Sequence, residues 1–182
     1  MKSLVTFLLA SCTLTLPAQV FQSGKIRSWN WKPNTVVTLA NSEAGEIEMA
    51  PYKHRDKETK SRVSQFKWND SDYQINERKG YYTITDHNGD VVLRSNKGGK
   101  SLYTQNGEFH RSRKYGYRKS TVYTNSEGDV VATGQYRKRE ILMELDYSIK
   151  DSELVSLVLL RQLMDAVKES KEADYLPLLI CD

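Results

Sequence analysis

Cysteine is almost missing from this chain of 182 residues, which has only Cys12 and Cys181. If the chain is cut after Ala18, Cys181 alone remains, so no intramolecular disulfide can form and stability must come from the core. A thiol one residue from the end can pair between chains or stay inert. Histidine is nearly as scarce. His54, His87 and His110 stand far apart, with no second histidine or cysteine at a ligand spacing, which excludes a zinc site of the usual kind. There is no G-x-S-x-G elbow, and Cys181 lies too near the end to sit between a base and an oxyanion hole. The ten glycines are scattered through turns, and none opens a helix as a phosphate loop. The segment "DHNGD" (86–90) places Asp86, Asn88 and Asp90 at alternate positions, but its glycine is fourth and no Glu stands at the twelfth. The EF-hand pattern therefore fails, and the segment reads as a hairpin turn with acidic rims. Carboxylate pairs exist, but without the fold they cannot be sorted into acid and base roles. These absences read together as a non-enzymatic protein with no cofactor and no metal.

The length suits one domain with its own core. Hydrophobic content of 38% against 27% charge, with a mean hydropathy of −0.63, is low for a compact protein. Eleven Tyr and three Trp supply much of the apolar surface and favour strands. The start of the chain reads as a targeting segment: Lys2, then the apolar "SLVTFLLASCTLTL", too short to span a bilayer. Two processing routes fit. Cleavage after Ala18 in "LPAQ" makes 1–18 a signal peptide and 19–182 a single domain, exported to a periplasm or secreted. Alternatively "LASC" resembles a lipobox, 1–11 is a lipoprotein signal, and a lipidated Cys12 anchors the protein to a membrane. A buried first strand is the third reading. Residues 1–18 carry one base and no acid, so removing them takes the charge from +4 to +3.

From Val20 to Ile149 no helical period stands out. Short apolar units are separated by "KPN" (32–34), "NDSD" (69–72), "KG" (79–80), "HNG" (87–89), "NG" (106–107) and "EG" (127–128). Turn signals at roughly 10- to 20-residue intervals predict an antiparallel barrel or sandwich. Alternation in Phe66-Lys67-Trp68 and in Leu145-Asp146-Tyr147-Ser148-Ile149 predicts strands with one wet face. A weak repeat supports this: "TITDHNGDVV" (83–92) and "VYTNSEGDVV" (122–131) superpose at an offset of 39 residues (83 to 122). A fainter third copy is "TLANSEAGEIEM" (38–49).

The stretch "DSELVSLVLLRQLMDAVKES" (151–170) is different. At 100° per residue, Leu154, Val155, Leu157, Val158, Leu159 and Leu160 project in all directions, and Leu163, Met164, Ala166 and Val167 continue the pattern. Asp151 or Ser152 is the expected N-cap, with Glu153 favouring the positive helix end. Arg161 and the polar breaks stop the run from spanning a membrane. A helix of about 152–169, apolar all round and with only strands for company, is predicted to be the core of a closed antiparallel β-barrel.

The order strand–"DHNGDVV"–strand, strand–"NSEGDVVATG"–strand, then "LDYSI" into "DSELVSLVLLRQLMDAV" resembles the tubby C-terminal-like superfamily. That group includes the LURP-one-related proteins and the phospholipid scramblases. The resemblance covers most of residues 20–170 through loose turn-and-strand patterns. It implies about twelve strands around a hydrophobic C-terminal helix, and it brings phosphoinositide binding and lipid scrambling as functions of relatives. Two features depart from the pattern: the export signal, and "YLPLLICD" continuing past the helix.

One constellation invites a function. Arg94, Lys97, Lys100, Arg111, Arg113, Lys114, Arg118 and Lys119 face a single acid, Glu108, with Tyr103, Phe109, Tyr115 and Tyr117 interleaved, and Arg137-Lys138-Arg139 follows. Such a surface can hold an anionic lipid headgroup or another polyanion. The candidate ligand residues are Lys97, Lys100, Arg111, Arg113, Lys114, Tyr115, Tyr117, Arg118 and Lys119. Nucleic acid is disfavoured by the export signal. The rival readings are a structural or interaction module of the envelope with an incidental patch, and scramblase-like membrane remodelling inferred from the resemblance alone.

Overall fold

The computed structural model describes residues 19–23, 37–41, 45–55, 61–68, 70–114, 120–137 and 140–175. The fold is mainly β, with antiparallel strands hydrogen-bonded into one sheet and one C-terminal helix. In order the elements are β1 (Gln19–Ser23), β2 (Val37–Asn41), β3 (Gly45–Arg55), β4 (Arg62–Trp68), β5 (Ser71–Arg78) and β6 (Tyr81–Thr85). They continue with β7 (Val91–Ser95), β8 (Ser101–Tyr103), β9 (Glu108–Lys114), β10 (Ser120–Thr124), β11 (Val130–Arg137), β12 (Glu140–Leu145) and α1 (Ser152–Tyr175). From β2 to β12 each strand pairs with its predecessor, so this part is a meander. β1 pairs with β12 from Gln19 to Gln22 and with β2 through Gln22 and Ser23.

The repeated sequence is a repeated turn. Asp86 Oδ1 accepts the amides of Asn88 and Asp90, both at 2.9 Å, while Gly89 sits at φ 87°. Asn125 Oδ1 does the same for Glu127 (3.0 Å) and Asp129 (2.8 Å), with Gly128 at φ 93°. A short polar side chain thus replaces the backbone partners that a tight turn cannot supply, and glycine takes the left-handed position. In each hairpin the ladder shifts register beside the turn, between Ile84 and Thr85 and between Tyr123 and Thr124. In the faint third copy β2 and β3 pair as far as Asn41 and Gly45, and 42–44 lie outside the described residues.

Phe66 and Trp68 are buried with Lys67 exposed between them, as the alternation predicts. The second expected alternation is corrected: β12 stops at Leu145, and 146–149 form a turn. Asp146 Oδ1 accepts the Ser148 amide at 2.9 Å and Asp146 O accepts that of Ile149 at 3.3 Å. The local Asp bond competes successfully with ladder pairing.

Helix α1 starts where expected and runs six residues beyond the predicted Glu169, to Tyr175. Asp151 O accepts the Val155 amide at 3.1 Å, placing Asp151 at the cap. Its carboxylate, however, takes the Asn106 side-chain amide at 2.8 and 3.0 Å, tying the helix start to the β8–β9 turn. Every residue from Leu154 to Arg161 is buried, and Leu159 is fully so. The core facing them draws on strands across the sheet, including Ile47, Ile75, Ile84, Leu102, Tyr123 and Met143. A helix buried on all sides requires the sheet to curl around it.

Gly134 on β11 marks a close approach of the sheet to the helix. A Cβ there would lie 2.8 Å from Leu163 Cδ1 and 3.0 Å from Leu159 Cγ and Cδ2. Gly134→Ala is expected to cost about 1–3 kcal/mol by overpacking, read as a lower urea midpoint. An unchanged midpoint would mean that the helix can slide within the sheet.

Candidate functional site: a basic end and an acidic end

An antiparallel meander sends its turns alternately to two ends. At one end lie the pairs Arg55–Arg62, Arg78–Tyr81, Ser95–Leu102, Lys114–Ser120 and Arg137–Glu140. At the other lie Asn41–Gly45, Trp68–Ser71, Thr85–Val91, Tyr103–Glu108 and Thr124–Val130.

The first end is basic. Arg62, Arg78, Lys79, Lys97 and Lys100 are all exposed there. Gly98 N donates to Gly80 O at 2.7 Å, which locks the β5–β6 and β7–β8 turns side by side. Both glycines have positive φ, as does Lys79 at 51°. Asn96 Oδ1 accepts the amides of Lys100 (2.8 Å) and Ser101 (2.9 Å), so the loop carrying Lys97 and Lys100 is organised from within.

Of the residues singled out in the sequence, Lys97 and Lys100 belong to this exposed end. Arg111 is placed differently. It lies on the same face of β9 as buried Phe109, two residues before it, is only half-exposed, and pairs in register with the buried Tyr123. Burial pushes the Tyr123 phenol up to about 12, against the lowering effects of the Arg111 charge and of hydrogen bonding with Gln162 and Arg111. Arg111 therefore belongs to the interior just below the basic end. The backbones of Arg113 and Lys114 end β9 at this end, opposite Thr121 and Ser120. Tyr115, Tyr117, Arg118 and Lys119 lie outside the described residues, as do Cys12 and residues 1–18. Arg94 and Tyr103 are exposed and in register further along the strands. Sequence reasoning missed Arg62, Arg78 and Lys79. Counting turns for odd or even parity along a meander would have found them.

Beneath the basic end lies a buried ionic group. Arg161, 3% exposed, donates to Asp165 at 3.0 Å and to Glu77 at 3.4 Å. Burial lowers the Arg161 pKa, opposed by the charge and hydrogen bond of Asp165. Burial raises Glu77, the Asp165 charge raises it further, and Arg62 opposes both. The long Arg161 contact does not reverse that direction, because the guanidinium is held more closely by Asp165. Nearby, Tyr123 Oη donates to Gly99 O at 2.7 Å and lies 3.2 Å from Gln162 Oε1. These contacts set the depth of the helix in the sheet.

The second end is acidic. Asp70, Asp72, Asp90, Glu127 and Asp129 are exposed, and Asp86, Asp146, Asp151 and Glu153 are half-buried, against Lys67, Lys150 and His87. Two adjoining clefts open here, of about 480 and 300 Å³, sharing Tyr73, Asp86 and His87. Tyr73 Oη donates to Glu153 Oε1 at 3.3 Å, and burial and that carboxylate together raise the phenol. Asp86 Oδ1 is occupied by two backbone amides, and no metal-binding group of acids, cysteines or histidines occurs among the described residues. Helix α1 begins at this end and runs toward the other, so its positive pole faces the acids.

No protein-family model, curated protein or solved structure matches this chain. Among the described residues no helix is long and apolar enough to cross a membrane, which leaves strand-based crossing unaddressed.

Proposed function

We propose that the chain is an exported, non-enzymatic domain whose sheet closes into a tubby-like barrel around α1, and that its basic end binds anionic headgroups. The observation carrying this reading is the hydrogen bond between Gly98 and Gly80, which gathers Lys79, Lys97 and Lys100 on neighbouring turns. Closure is supported by β1, which has a partner on each side. Each Lys or Arg held near an anionic surface contributes about 1 kcal/mol, so a cluster of this size suffices for reversible attachment. Exposed Tyr81, next to the β5–β6 turn, adds an amphipathic ring of the kind favoured at interfaces.

The test is co-sedimentation with phosphatidylserine-containing and neutral vesicles. The parent protein should bind only the anionic vesicles, and less in 0.5 M salt, where exposed charges are screened. The triple variant Lys79→Glu, Lys97→Glu, Lys100→Glu should lose binding and keep its thermal midpoint within a few degrees. Equal binding by parent and variant, or none by the parent, would return these lysines to ordinary surface charge. A second reading, an interaction module of the envelope, is favoured by the acidic end, which an anionic surface would repel. Scramblase-like remodelling has no such support.

A further inference from the structure

The meander sorts charge as well as turns. Exposed Lys79, Lys97 and Lys100 stand at one end, and exposed Asp70, Asp72 and Asp90 at the other. We propose that copies of this chain associate head to tail, the basic end of one on the acidic end of the next. This does not depend on the headgroup-binding reading, since it needs only the two ends.

Three observations carry it. The charges are segregated by topology: Glu77, Glu140 and Asp165 at the basic end are half-buried, while Lys79, Lys97 and Lys100 are exposed. Glu77 and Asp165 are already engaged with Arg161. The acidic end has shape as well as sign. Its two adjoining clefts are lined by Glu48, Asp72 and Asp86 and by Asp86, Asp151 and Glu153. The two lysine turns are fixed to each other by the Gly98–Gly80 bond, so they approach as one preformed surface rather than as two loose loops.

Symmetry excludes the commoner arrangement. A two-fold dimer through either end would set like charges against like. Of the end-to-end contacts only the heterologous one matches opposite signs, and with the two surfaces at opposite ends such a contact does not close. It grows into short chains whose length depends on concentration and salt.

The experiment is sedimentation velocity of the full chain in the absence of lipid, at 20 mM and 500 mM salt. At low salt the average mass should rise with protein concentration, and at high salt only monomer should remain. A basic-end variant (Lys79→Gln, Lys97→Gln, Lys100→Gln) and an acidic-end variant (Asp70→Asn, Asp72→Asn, Asp90→Asn) should each be monomeric alone. Mixed one to one, they should form a dimer and nothing larger, because each keeps one competent end. The single changes Lys97→Gln and Asp72→Asn should each weaken association several-fold, which guards against a misfolded triple variant. A parent protein that stays monomeric at low salt overturns the proposal. So does association unaltered by these substitutions, or a mixture of folded variants that stays monomeric. The acidic-end variant should still bind anionic vesicles, so loss of headgroup binding and loss of self-association are read separately.

Discussion

Leu159→Ala is expected to lower stability by about 2–5 kcal/mol, a large share of what a domain of this size possesses. Leu159 is fully buried in the middle of a helix that has no solvent-facing side between Leu154 and Arg161. The cavity left behind cannot collapse, because strands hold the surrounding side chains on a hydrogen-bonded sheet. Leu159→Asp goes further, placing a carboxylate where it either ionises at great cost or takes up a proton. Ending the chain at Lys150 removes the helix altogether and should leave no cooperative unfolding transition. Circular dichroism during a thermal melt checks all three variants. A truncated chain that melts cooperatively with a β-type spectrum would show that the sheet stands without its central helix.

The ionic group at Arg161 gives the second large effect, and its sign is less intuitive. Removing both carboxylates, by Asp165→Asn with Glu77→Gln, strips a buried guanidinium of two acidic partners and should cost about 3–5 kcal/mol. Glu77→Gln alone should cost little at pH 7. The Glu77 pKa is raised in the fold by burial first and the Asp165 charge second. A carboxyl whose folded pKa exceeds its unfolded value stabilises the fold fully below the unfolded pKa and loses that contribution as pH rises through the folded one. Above its raised pKa Glu77 is ionised in the fold at a cost that glutamine avoids. Its advantage should shrink as pH falls into the ordinary carboxylate range near 4.5. Urea titrations at both pH values measure this. A Glu77→Gln loss as large as that of the double variant would mean that Glu77, not Asp165, is the principal partner of Arg161.

The sequence was most readable where side-chain pattern and backbone requirement coincide. Gly89 and Gly128 announced their turns because only glycine takes that backbone cheaply, and Asp86 and Asn125 three positions earlier supply the matching bonds. Helix α1 was legible because an all-round apolar surface has few places to go. Asp146–Ser148 misled because Asp and Ser alternate with apolar residues in a turn as readily as in a strand. Only the register of β12 separates the two. Arg111 reads as surface charge in the sequence, whereas it shares a strand face with Phe109 and pairs in register with Tyr123. The polarity of the two ends lies in no local motif. Lys79 and Lys97 are 18 residues apart in the chain (79 to 97), and what joins them is an even number of strand reversals.

Helix α1 also follows every described strand in the order of synthesis. At roughly 5–20 residues per second, every described strand is made before Leu159, so synthesis runs for several seconds with strands that lack the helix their apolar faces pack against. Hairpins such as β6–β7 can form and dissolve locally in that interval, but a stable core cannot. The nascent strands therefore stay without a completed core until α1 has been made. Stability gained late in this way leaves the strands threadable until the helix joins them.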